Sequence, residues 1–209
     1  MSVISQLSSQ LGERDFNSNI KVAQQCLKNP KLLDEIEEGL QSKDQALLAD
    51  CAEVFTKVAE EKPQLITPFA SSLIPLLDHK YTRARWEAMH AIALVANLIP
   101  DKISKILSNL HRMSLSDPST IVRDYSVIAV SNYATTSKKA TEEALAILKR
   151  ILEVWKEKQA ARALKGLQNV AETNPNLSKE VLLLAKPFEN SSKGTVKKAA
   201  KDLLKAVNK

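Results

Sequence analysis

The 209-residue chain is 44% apolar and carries 30 Lys+Arg against 24 Asp+Glu, a formal net charge of +6. That apolar share is enough for a buried core, and four glycines with few aromatics disfavour hairpins and strands and favour an all-α fold. No run of about 18 apolar residues occurs, and the stretch MSVISQLSSQLGERDF lacks a basic segment followed by an apolar one, so a cytoplasmic protein without an integral membrane segment is expected.

In chain order, residues 16–29 around NIKVAQQCLKN read as a lone N-terminal capping helix. Beyond them one pattern recurs: VAEEKP ends at Pro63, VANLIP at Pro100 and VAETNP at Pro175, intervals of 37 and 75 residues, or one period and two. The missing middle copy falls near Ser137, in NYATTSK. Cutting at this period gives repeats 32–64, 65–101, 102–139, 140–176 and 177–209 within a single domain 1–209. Each holds an apolar-periodic segment, a polar break and a second such segment, which predicts an antiparallel helical hairpin.

The breaks carry their own punctuation. Ser42–Gln45 (SKDQ) has capping-box spacing, Thr82 and Ser119 are placed to cap second helices, and Asp101 to cap KISKIL. Pro75, inside SSLIPLLDH, should kink or break its helix. Cys26 and Cys51 fall in helical patterns and are expected as buried, reduced thiols. A two-helix unit cannot bury its apolar face alone, so neighbours must stack, with first helices on a convex side and second helices on a concave one.

Two stretches make the units resemble HEAT repeats of the armadillo-like kind. DPSTIVRDYS aligns through Asp117, Val122, Arg123 and Ser126, and LIPLLDHKYTRARWEA aligns, with one extra residue, through Asp78, Arg85 and Ala88. The resemblance implies a right-handed α-α superhelix, a HEAT-like solenoid of about five helical hairpins. It also implies a structural ladder in which Asp78, Asp117, Arg85 and Arg123 tie the inter-helix turn of one repeat to the next.

Asp124 is an acid that this pattern does not call for. It reads either as a general base walled by Trp86 and Tyr125 or, the expectation kept here, as an exposed carboxylate favoured by the dipole of a helix's first turn. Bacterial DNA alkylation-repair glycosylases, which are HEAT-like, use an aromatic–Asp pair one helical turn apart. Here His90 follows Trp86 by four residues and Gln159 follows Trp155 by four, so the decisive acid is missing. His79, His90 and His111 show no metal spacing, and no glycine-rich phosphate loop or nucleophile elbow occurs, so no metal, cofactor or enzymatic activity is expected.

Surfaces are the better candidates. The charge is asymmetric: residues 1–104 carry 11 Lys+Arg against 14 Asp+Glu, and residues 105–209 carry 19 against 10. Arg85, Arg123, Arg162 and Lys198 recur at intervals of 38, 39 and 36, predicting one basic row that Lys156, Lys158 and Lys165 widen and that Asp117, Asp124 and Glu157 partly neutralise. The last helix, TVKKAAKDLLKAVNK, places Val196, Ala199, Ala200, Leu203, Leu204 and Val207 on one face and lysines on the other, as an end-capping repeat requires. The expected function is therefore a non-enzymatic scaffold presenting a concave, partly basic surface to a protein or peptide. Its expected contact residues are Arg85, Trp86, Arg123, Asp124, Tyr125, Arg162, Lys165 and Lys198. Nucleic-acid binding through the basic second half is the alternative.

Overall fold

The computed structural model describes residues 2–13, 15, 17–155 and 158–207, with the backbone alone for Lys158. The described residues form eleven α-helices, six short 3-10 segments and no strand. The sequence reads as one continuous domain, whereas by contacts the chain divides into two compact units, Met1–Ile99 and Pro100–Lys209. The first holds 10 Lys+Arg against 13 Asp+Glu, and the second 20 against 11.

In the first unit α1 (Asn17–Lys28), α2 (Leu32–Gly39) and α3 (Gln45–Glu61) precede a broken segment over 63–78. That segment is a 3-10 stretch Pro63–Phe69, a four-residue α4 (Ala70–Leu73) and a second 3-10 stretch Ile74–Asp78. Pro63, Pro68 and Pro75 each lack an N–H and crowd the preceding turn, so a continuous helix cannot form and the chain tightens to i→i+3 bonding. The unit closes with α5 (Thr82–Val95). Helix α3 packs on α1, α2 and α5, and eleven of its residues between Leu48 and Ala59 are buried, the pattern of a central helix. Gly39 lets α2 close onto it: a Cβ there would stand 2.4 Å from Cys51 Sγ.

Two expected caps move. The N-cap of α3 is Asp44, whose carboxylate accepts from the Ala46 and Leu47 amides at 2.9 and 3.4 Å, while Ser42 Oγ accepts from the Asp44 amide at 3.1 Å. Thr82 is the first residue of α5 rather than its cap, and the Tyr81 N–H before it donates to His79 Nδ1 at 3.1 Å.

The second unit contains α6 (Pro100–Ser116), α7 (Thr120–Tyr133), α8 (Lys138–Val154), α9 (Lys158–Thr173), α10 (Ser178–Ala185) and α11 (Gly194–Val207). Asp101 does not cap α6: Pro100 already occupies the helix, where a first-position proline loses no hydrogen bond, and Asp101 lies in the first turn. Ser119 and Ser137 cap α7 and α8, accepting from the Val122 and Ala140 amides at 3.4 and 3.1 Å. Helix α9 is the central one, in contact with α7, α8, α10 and α11. Against it α11 buries Val196, Ala199, Ala200 and Leu203, each Val or Leu contributing about 1.5–3 kcal/mol. Lys197, Lys201 and Lys205 stay exposed.

Candidate binding surface

Helices α7, α9 and α11 pack side by side, α7 on α9 and α9 on α11, and each leaves one stripe uncovered. On α7 it is Ile121, Tyr125, Ile128 and Asn132, the i, i+4, i+7, i+11 spacing that keeps side chains on one helical face. On α9 the equivalent stripe includes Arg162, Lys165 and Asn169, and on α11 Lys198, Lys201 and Lys205. Lys156 and Glu157 lie outside the described residues, as does the side chain of Lys158.

Between the first two stripes runs a groove of ≈170 Å³ lined by Ile128, Ser131, Asn132, Arg162, Lys165, Gly166 and Asn169. Its floor depends on Gly166, because a Cβ there would lie 2.3 Å from Ser131 Oγ and 3.0 Å from Leu148 Cδ1. Ser131 Oγ turns inward to donate to the Val127 carbonyl at 2.7 Å, and Asn169 Nδ2 donates to the Ser131 carbonyl at 3.0 Å. Lys165, already in the expected set, and Arg162 form the groove's basic edge. Ser131, Asn132, Gly166 and Asn169 were not anticipated from sequence.

Asp124 corrects its expectation. It is 2% exposed rather than a solvated first-turn charge, because α9 packs over that face of α7. Its Oδ1 accepts from Gln159 Nε2 at 3.1 Å and its Oδ2 from Arg162 at 3.2 Å. A carboxylate engaged this way lies beneath the surface, not on it. Arg162 remains partly exposed above it, and its buried Nε has no hydrogen-bond partner among the described residues.

The four-membered basic row also separates. Arg85 folds back on its own inter-helix turn, donating to the His79 and Lys80 carbonyls at 2.9 and 3.1 Å. Arg123 does the same, donating to the Asp117 carbonyl at 2.5 Å and to Thr120 Oγ1 at 2.9 Å, with its guanidinium 5.0 Å from the Trp155 ring centre. Asp117 is 7% exposed, and its carboxylate accepts from the Ser119 amide at 2.8 Å. These bonds brace the turn between a first and a second helix within one hairpin. Arg162 instead reaches to the neighbouring second helix, and Lys198 is exposed on α11.

In the first unit the corresponding chemistry is internal. Arg83 of α5 meets Asp50 at 2.6 Å and Glu53 at 2.7 Å, both on α3. Asp50 also accepts from the Ser9 amide at 2.7 Å, and Glu53 from Asn19 Nδ2 at 2.9 Å. Trp86 Nε1 donates to Glu87 Oε1 at 2.8 Å, and burial pushes the Glu87 carboxyl above its ordinary range. Burial likewise pushes His90 down to about 4, leaving its imidazole neutral near pH 7, 3.9 Å from Glu60. Among the described residues no three His, Cys, Asp or Glu side chains gather as a metal site would require, and no helix is long and apolar enough to cross a membrane.

No protein-family model matches the chain, and no curated protein sequence matches it. Solved structures do. A designed armadillo repeat protein in complex with peptide (KR)4 aligns with a TM-score of 0.77 at 20% identity, covering 99% of this chain and 98% of the other. The fold is that of an armadillo-like repeat solenoid. Computationally designed armadillo repeat proteins for modular peptide recognition align at TM-score 0.74 and 20% identity, over 98% of each chain. An engineered protein aligns at 0.72 and 16% identity, over 100% and 97%. The armadillo-like repeat accounts for one signal present in the sequence: Asn132 and Asn169, both in the groove, stand 37 residues apart, one period.

Proposed function

We propose that the chain is a non-catalytic binding scaffold that receives an extended peptide or protein segment along the stripes of α7, α9 and α11. The observation that carries this reading is the groove between α7 and α9, with a carboxamide on either side, an apolar residue on one edge and two cations on the other. Carboxamides both donate and accept, which suits the alternating groups of a peptide backbone. Further support comes from the designed armadillo repeat protein whose structure holds a peptide. The absence of chemistry is part of the proposal: Asp124, the acid among the described residues bonded to the groove's Arg162, is occupied by Arg162 and Gln159. A cytoplasmic setting, where thiols stay reduced, fits the buried free Cys26 and Cys51.

The test is selection from a displayed library of randomised nonapeptides against the full chain. Binders are expected, and Asn132→Trp, which fills the groove from a half-buried position, is expected to weaken them at least about tenfold, the loss of a central contact. A library that yields no binder, or binders indifferent to Asn132→Trp, overturns the reading. Binding to nucleic acid rests on the charge of the second unit alone and has no groove residue of its own in support.

A further inference from the structure

Resting on that reading of the second helices, we infer the chemistry of the occupant: a short, extended, acidic peptide segment laid across α9 and α11. Lys165, Lys198, Lys201 and Lys205 are exposed on these stripes, and Arg162 stands at the groove edge. The carboxylates facing them are fewer. Asp124 is buried beneath Arg162. Glu172, at the end of α9, accepts from Gln168 at 2.7 Å, and Glu189, which faces Lys201, is held by Lys186 at 2.6 Å. Asp202 is the exposed acid on α11 itself. Lys165 and Lys198 make no ion pair with the described residues, so their charge is available to a ligand.

The dimensions favour a peptide over a nucleic acid. From Lys198 to Lys205 the cationic stripe runs about 10 Å at 1.5 Å per residue, and neighbouring helices lie about 8–10 Å apart. An extended peptide advances about 3.3 Å per residue, so about three residues cross from α9 to α11 and about four span the patch diagonally. On the α7 side the charge stops, because the next stripe presents Ile121, Tyr125 and Ile128. A phosphate backbone draws its affinity from cations continued along its path, whereas a short peptide ends where the patch ends. The ≈170 Å³ groove admits a side chain, not a base pair.

The probe is a fluorescein-labelled (DE)4 octapeptide titrated with the full chain and followed by anisotropy. Binding is expected at low salt. It should weaken about tenfold or more when the Debye length is cut from roughly 14 to 6 Å. Lys165→Glu and Lys198→Glu, both exposed, are each expected to weaken it about tenfold, as reversing a charge opposite a ligand charge does, while Lys43→Glu in the first unit leaves it unchanged. Failure of (DE)4 to bind overturns the inference, as does equal binding of a (KR)4 octapeptide, and tighter binding of oligo(dT) reassigns the patch to nucleic acid. Library peptides that bind through the groove while (DE)4 does not leave the binding face standing and remove only its acidic occupant; the absence of both removes both.

Discussion

The two units each bury a carboxylate on a second helix and answer it with an arginine from the following second helix, but they close the pair to different degrees. In the first, Arg83 is 12% exposed and held between Asp50 and Glu53; the Ser9 amide takes the other oxygen of Asp50, and Asn19 shares Glu53 Oε2 with the guanidinium. In the second, Arg162 is 31% exposed over one acid among the described residues, Asp124, which also accepts from Gln159. Two carboxylates on one guanidinium leave that arginine committed to holding helices together. One carboxylate leaves Arg162 at the groove edge, beside Lys165, which makes no ion pair with the described residues. The difference separates an internal clamp from a supported surface group, which is why the candidate site lies in the second unit.

Removing the clamp should have the largest effect. Arg83→Met keeps the aliphatic stem and strands two buried acids, so the first unit is expected to lose about 3–5 kcal/mol, measured by urea unfolding followed through Trp86 in a Trp155→Phe background. A loss under about 1 kcal/mol would place the trio among weak surface pairs and break the contrast. Next come the glycines that bring helices close in both units. Ala is the better helix former by about 1 kcal/mol, yet Gly39→Ala and Gly166→Ala are expected to destabilise by about 1–3 kcal/mol through overpacking, and Ser131→Ala should relieve part of the second. A net gain in either variant would show that its helix contact yields freely. Smallest is Arg162→Ala: Asp124 keeps Gln159, and solvent already screens the pair, so about 1–2 kcal/mol is expected. A cost equal to that of Arg83→Met would make Arg162 a structural clamp after all.

The repeat period was legible because the residues that end helices, prolines and small polar caps, recur in sequence without reference to tertiary contacts. Pro75 announced the broken segment for the same local reason. Asp124 was not legible. Whether a residue one place beyond Arg123 faces water or a neighbouring helix depends on what packs over α7, and Gln159 and Arg162, which decide it, lie 35 and 38 residues away. The four-membered basic row failed on direction: equal spacing placed Arg85 and Arg123 near their turns, and only the structure shows their guanidinium groups folded back onto carbonyls. Gly166 gave no sign at all, since a lone glycine inside a helical pattern reads as a weak spot until the side chain opposite is known. Caps slipped by one or two residues where two acceptors competed, as Ser42 and Asp44 did.

The sulfur packed against Gly39 has a further consequence. Cys26 and Cys51 are both fully enclosed, and burial pushes their thiols up to about 11 and about 12. Only a thiolate attacks an alkylating reagent, so in the closed protein neither cysteine reacts at neutral pH. Every labelling event must pass through an opening of α1, α2 and α3 that admits both water and reagent. The second unit contains no cysteine, and the alkylation rate is therefore a clock for the breathing of the first unit.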